Sequence, residues 1–216
     1  ILNTPHLMNK ANGKLNITHK DLAVDNLTYI SVNKYIQGQT FSDYLYSCKN
    51  DKNFKFNDYL SILLQIFLSL EIAQRKCAFV HNDLMPWNIM IKKETNYKNF
   101  TYIIGRKTYQ VKTKLIPYII DFGKSNAVHD NIKYGIGVNV YKLKTKRFND
   151  IFTILSSTLN IILESSLKEV DKQKIITLSN FICNTEFKNK QFETINEVIN
   201  FFKSYKKYSI LTYSNK

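Results

Sequence analysis

Cysteine is scarce, and what there is forms no pattern. Cys48, Cys77 and Cys183 stand far apart with no paired spacing, so they supply neither a zinc site nor a disulfide framework. A reducing, intracellular setting is the expectation. Long hydrophobic runs are also lacking. The longest, Leu60 to Ala73, is interrupted by Ser61, Gln65, Ser69 and Glu71 and is shorter than the roughly 20 residues that cross a bilayer. Neither a membrane anchor nor a signal peptide is expected. No internal repeat or low-complexity tract is present, and the first residue is Ile1 in place of a methionine. The chain therefore reads as a segment of something longer, or as processed.

What the sequence does have is apolar residues enough for a core, at 44% of 216 positions. That suits one domain or two small lobes. The formal charge of +14 raises nucleic acid, acidic protein or membrane headgroups as partners. The lysines are spread over polar stretches such as Lys92-Lys93, Lys142 to Lys146 and Lys203 to Lys207. A solvated face is the first explanation of such runs, and an acidic or polyanionic partner the second.

From Leu27 to Ile36 the residues alternate and are rich in Tyr, Ile and Val, which predicts a strand that Gly38 ends. Thr40 or Ser42 can cap a short helix through Leu45. From Asp58 to about Cys77, Leu60, Leu63, Leu64, Phe67, Leu68 and Ile72 recur at helical spacing. Few polar residues interrupt the rest of this helix, so it is expected to be buried on more than one side. Ile89 to Ile91 predicts a short strand. Tyr102–Ile104, Tyr109–Thr113 and Leu115–Ile120 predict further strands, with Gly105-Arg106 as a hairpin turn. Lys124 to Asn149 reads as an extended loop, in which Gly135-Ile136-Gly137-Val138 supplies flexibility. Helical patterning returns at Asp150, at Ile175 to Ile182 and, behind a capping box at Thr194 to Glu197, at Val198 to Tyr205.

The chemistry concentrates in His81-Asn82-Asp83-Leu84-Met85-Pro86-Trp87-Asn88 and in Asp121-Phe122-Gly123. Phosphoryl transfer needs a group beside the acceptor hydroxyl and hard oxygen ligands that hold magnesium on the phosphates. Asp83 can orient the acceptor and take its proton. Asn88, five positions on, and Asp121, at the end of a strand, can bring two oxygens to one ion.

These two motifs resemble the catalytic loop His-Arg-Asp-Leu-x-x-x-Asn and the metal motif Asp-Phe-Gly of the protein-kinase superfamily. His81, Asp83, Leu84 and Asn88 match the first, and Asp121-Phe122-Gly123 matches the second in full. The resemblance runs from about Leu27 to Phe202. It implies an α+β, protein-kinase-like fold: a mostly helical C-lobe with small β-hairpins over residues 38–216, and the end of an N-lobe and hinge over 1–37. It implies ATP and Mg2+ as cofactors, with Asp83 as the base and with Asn88 and Asp121 as the metal ligands. Lys34 to Ile36 would offer backbone groups to adenine, and Met90 would lie beneath the base. Asp150 would brace the catalytic loop from below, with His81 a structural member of that brace. The implied partner is a protein with a Ser or Thr acceptor.

The departures are informative. Where protein kinases carry a lysine two positions after the catalytic aspartate, this chain has Met85. Another cation must meet the transferred phosphate, and Lys124, directly after Asp-Phe-Gly, is the candidate. No Ala-Pro-Glu ends the activation segment, and extra residues lie between Met90 and Asp121. The pattern is closer to haspin-like and other atypical kinases, including those of large DNA viruses. No glycine-rich loop and no Val-Ala-x-Lys precede the hinge, so the phosphate-anchoring lysine is expected upstream of Ile1. Two alternatives stay open: a small-molecule kinase of aminoglycoside or choline type, and a pseudokinase scaffold. Trp87 is expected to pack the loop against the helical lobe. His6, His19 and His129 lack partners at ligand spacing and are expected at the surface.

Overall fold

A computed structural model describes residues 35–50, 54–135, 149–164, 168, 171–177 and 211–215. The chain divides between Ile36 and Gln37. From Gln37 onward it is a mixed α+β fold with antiparallel sheets. The predicted strand before Gly38 falls outside the described residues except for Tyr35 and Ile36, which have no regular structure. The end of the helix expected to reach Ile182, and the helix expected at Val198–Tyr205, also lie outside them.

The central element is the helix α2, Phe56–Cys77, which begins two residues before the boundary that periodicity predicts. Its apolar residues Leu63, Leu64, Phe67, Leu68 and Leu70 are all buried, and so are Ser61, Gln65, Glu71 and Gln74 on the remaining surface. Such all-round burial is expected of a core helix. Its length and apolar composition would also suffice to cross a membrane, although the apolar run Leu60 to Ala73 within it is shorter than a span. The difference comes from Phe56 to Tyr59 and Gln74 to Cys77, which extend the helix at both ends. Polar contacts fix its neighbours. Tyr59 Oη lies 2.8 Å from Thr158 Oγ1, and Gln65 Nε2 donates to the carbonyl of Leu115 at 3.0 Å. Backbone turning at the C-terminus is taken by Ala78 in the left-handed region.

Ahead of α2, β1 (Gln39–Thr40) leads into helix α1, Phe41–Asn50. Thr40 is its cap: its hydroxyl accepts from the N–H of Asp43 at 3.1 Å, which satisfies one of the free N–H groups of the first turn. After α2 come β2, Ile89–Ile104, and β3, Lys107–Ile119, joined at Gly105-Arg106. Gly105 has φ +61°, a conformation open to glycine at little cost. The hairpin is longer than expected, because stretches of Lys92 to Thr101, which carry no strand signal, also pair with β3, with a register shift between Lys93 and Lys98. These residues are polar because both faces of the ribbon are largely in solvent here, so apolar alternation is missing. The sheet order is β1-β2-β3-β6, with β6 (Leu211–Asn215) pairing antiparallel to β3. Strand content thus exceeds the small hairpins anticipated.

The segment after Lys124, expected to be a loop, contains the hairpin β4 (Asn126–His129) and β5 (Ile132–Gly135). Its turn uses Asp130 and Asn131, both at positive φ, so the usual Asn-Gly or Asp-Gly signal is missing. Gly135 is not a source of loop flexibility. It ends β5 opposite Asn126 with φ +120°, and a Cβ there would collide with the carbonyl of Ser125. Helix α3, Asn149–Leu163, buries Ile151, Ile154, Leu155 and Leu159 against the same core. A short helix covers 171–177, where Ile175 is buried.

Candidate active site

The loop between α2 and β2 enters through Val80, whose backbone exchanges two hydrogen bonds with Asn126 at 2.9 and 2.8 Å. This bridge joins the chain before His81 to the chain after Lys124. The two motifs are thereby held side by side. A second tie runs from the N–H of Ile120 to the carbonyl of Asn88 at 3.0 Å. A third runs from His81 Nε2 to the carbonyl of Ile120 at 3.1 Å, so that ring nitrogen carries the proton and donates. His81 is fully buried, and the ring of Phe122 tilts over it at 5.6 Å between centroids.

Asp150, at the start of α3, is 1% exposed. Its two carboxylate oxygens accept from the N–H of His81 at 2.7 Å and from the N–H of Asn82 at 2.9 Å. Burial pushes this carboxyl above its ordinary range, while the two N–H groups and His81 pull the other way. Asn82 itself is at φ +65°. That turn sends the next residue, Asp83, outward while the side-chain amide of Asn82 reaches back to the carbonyl of Lys124 at 2.9 Å.

The pair of N–H groups on Asp150 makes a stability prediction. Asp150→Ala strands both donors and is expected to cost about 3 kcal/mol, the worth of charge-assisted hydrogen bonds. Because folding raises this acid above 3.8, the folded protein holds the proton more tightly than the unfolded chain does. The resulting stability is fully present below the unfolded value and is lost as pH rises through the folded value. Asp150→Asn, which keeps one acceptor, should flatten this part of the pH profile. Urea unfolding of the three proteins over a pH series tests both points, and an unchanged midpoint for Asp150→Ala would remove the brace.

Two side chains reach Asp83. Asn88 Nδ2 donates to the main-chain carbonyl of Asp83 at 2.9 Å and lies 3.5 Å from its carboxylate. Lys124 Nζ sits 2.9 Å from Asp83 Oδ2. Asp121, three residues before Lys124, caps the short 3-10 turn Phe122–Lys124, accepting from the N–H of Gly123 at 3.3 Å. Asp121 has φ +61° and is exposed. Asp83, Asn88 and Lys124 are thus in direct contact, and Asp121 heads the turn that carries Lys124. The sequence offers no sign of Asn82 as the residue that holds the main chain of Lys124. In the resembling motif that position is arginine.

Met90, in β2, pairs with Thr40 on one side and Tyr118 on the other and is half-buried. Ile36 is half-buried just ahead of β1, and Lys34 lies outside the described residues. Trp87 is only half covered. It is 52% exposed, because its neighbours Pro86 and Asn88 turn inward in the 3-10 turn and leave it facing out. His129 is exposed beside Asp130, while His6 and His19 lie outside the described residues.

No family model matches the chain. It is 34% identical over 211 residues, 83% of its length, to "Uncharacterized protein 179R" of Invertebrate iridescent virus 6. It is 33% identical over 135 residues, 59% of its length, to "Uncharacterized protein 035R" of Invertebrate iridescent virus 3. From the same virus, "Probable kinase 098L" is 36% identical over 95 residues, 44% of this chain. The chain spans 17%, 12% and 17% of the lengths of these three proteins. These relatives are therefore viral and much longer, and one of them carries a kinase name.

Proposed function

We propose that this chain carries the catalytic loop and metal motif of an ATP- and magnesium-dependent phosphotransferase of protein-kinase type, one that acts on Ser or Thr hydroxyls of proteins. The observation that carries the reading is the set of side chains on Asp83: an amide from Asn88 on one side and the ammonium of Lys124 on the other. The similarity to a protein named as a probable kinase supports it.

In this reading Asp83 takes the proton of the acceptor hydroxyl, and Asn88 keeps it aimed by holding its main chain. Lys124 supplies the positive charge that Met85 cannot, next to where the transferred phosphoryl group gains its charge. The residues present suit magnesium. Asn88 spends its amide nitrogen on Asp83, which leaves the amide oxygen for a cation, and the exposed Asp121 carboxylate keeps an oxygen free of the Gly123 N–H. Among the described residues no three His, Cys, Asp or Glu side chains cluster as metal ligands. A nucleotide-bound magnesium does not require such a cluster, since phosphate oxygens hold it together with one or two protein oxygens. Magnesium, when bound, neutralises charge on the phosphates. Met90 would lie beneath the adenine.

The test is a thermal shift with ATP and magnesium on the full-length protein, followed by transfer assays on protein, sugar and amino-alcohol acceptors. Nucleotide at a hundred times its dissociation constant should add about 2.7 kcal/mol of stability, and label should reach Ser or Thr of protein. Label on sugars or amino alcohols alone would replace the acceptor class. Neither a shift nor transfer would leave the fold as a scaffold and end the enzymatic reading.

A further inference from the structure

A cleft of about 680 Å³ opens between α1, the start of α2 and the β2–β3 hairpin. It shares no residue with the cluster on Asp83. Lys55, Lys93, Lys112 and Lys114 all line it, against a single carboxylate, Asp58. Lys112 and Lys114 stand over the exposed ring of Tyr97 at 5.5 and 5.0 Å, which gathers two ammonium groups at one point. Among the described residues, none of the four lysines is within salt-bridge distance of a carboxylate. Ser61, only 6% exposed, lies at the base of the lining.

A nucleic acid strand would need a series of aromatic platforms, and the cleft has one exposed aromatic residue, Tyr97.

We infer that this cleft is a docking site for an acidic protein segment whose carboxylates meet Lys55, Lys93, Lys112 and Lys114. The inference stands apart from the phosphotransfer reading and does not require it. It gives a location to the acidic partner that the net charge raised.

The net charge of the whole chain could draw in any polyanion, so the test holds charge constant. Fluorescence anisotropy is measured with labelled oligoglutamate, oligoglutamine of equal length and oligothymidylate, at physiological salt. A cleft triple variant, Lys93→Gln, Lys112→Gln and Lys114→Gln, is compared with a control triple of equal charge, Lys76→Gln, Lys107→Gln and Lys133→Gln. Oligoglutamate should bind in preference to both other probes. The cleft triple should lose about tenfold in affinity, the sum of three exposed ion pairs, and the control triple less than about twofold. Equal losses in the two triples, tighter binding of oligothymidylate, or no binding of oligoglutamate would each overturn the site.

Discussion

Asp83→Ala is expected to lower phosphoryl transfer by about 10³-fold, the usual worth of a positioned general base, while nucleotide binding persists. The structure makes this separation reasonable. The stronger contact of Asn88 is to the main-chain carbonyl of Asp83, at 2.9 Å, and that carbonyl survives truncation to alanine. The loop is held as well by Asp150 on the N–H groups of His81 and Asn82. Removing the carboxylate should therefore delete chemistry without moving the loop. Asp121 gives the contrast. Asp121→Asn keeps a residue type tolerated at positive φ and keeps an acceptor for the Gly123 N–H, but it gives magnesium a neutral ligand. Metal-dependent nucleotide binding should then weaken, in isothermal titration with and without magnesium. Transfer at wild-type rates in Asp83→Ala would remove that residue from the mechanism.

The second large effect concerns the cation. Lys124→Met is expected to reduce kcat by about 10²-fold, as the loss of one charge-stabilising donor does, with little change in KM for nucleotide. The main chain at 124 is fixed independently of its side chain, because Asn82 Nδ2 donates to its carbonyl at 2.9 Å. Lys124→Arg should retain much of the rate. Met85→Lys, introduced into the Lys124→Met protein, should restore part of it. Met85 is half-buried and its N–H bonds to the carbonyl of Asp83 at 2.8 Å, so a lysine there starts from the same loop. Single-turnover measurements separate this loss from one in binding. Wild-type rates in Lys124→Met, or failure of both compensating variants, would show that the ammonium does not serve the reaction.

Some of this molecule is legible from residue order. Periodicity locates α2 and α3, because a buried helix must repeat its apolar contacts every turn. Gly105 locates the long hairpin, because its turn needs positive φ. The second hairpin is hidden, since Asp130 and Asn131 make that turn without glycine. Trp87 defies the expectation that an aromatic residue beside a motif packs inward, because Pro86 and Asn88 take the buried positions.

Sequence alone therefore determined which residue types could do phosphoryl-transfer chemistry, and the helices and the first hairpin that would carry them. These are local properties, set by spacing and backbone preference within a few turns. Only the tertiary structure decided that Lys124 meets Asp83 across 41 positions and that lysines from the α1–α2 connection and the hairpin line one cleft. Such meetings depend on the Val80–Asn126 bridge and on the β2–β3 register. Both arise from backbone pairing between distant segments, which no short-range pattern encodes.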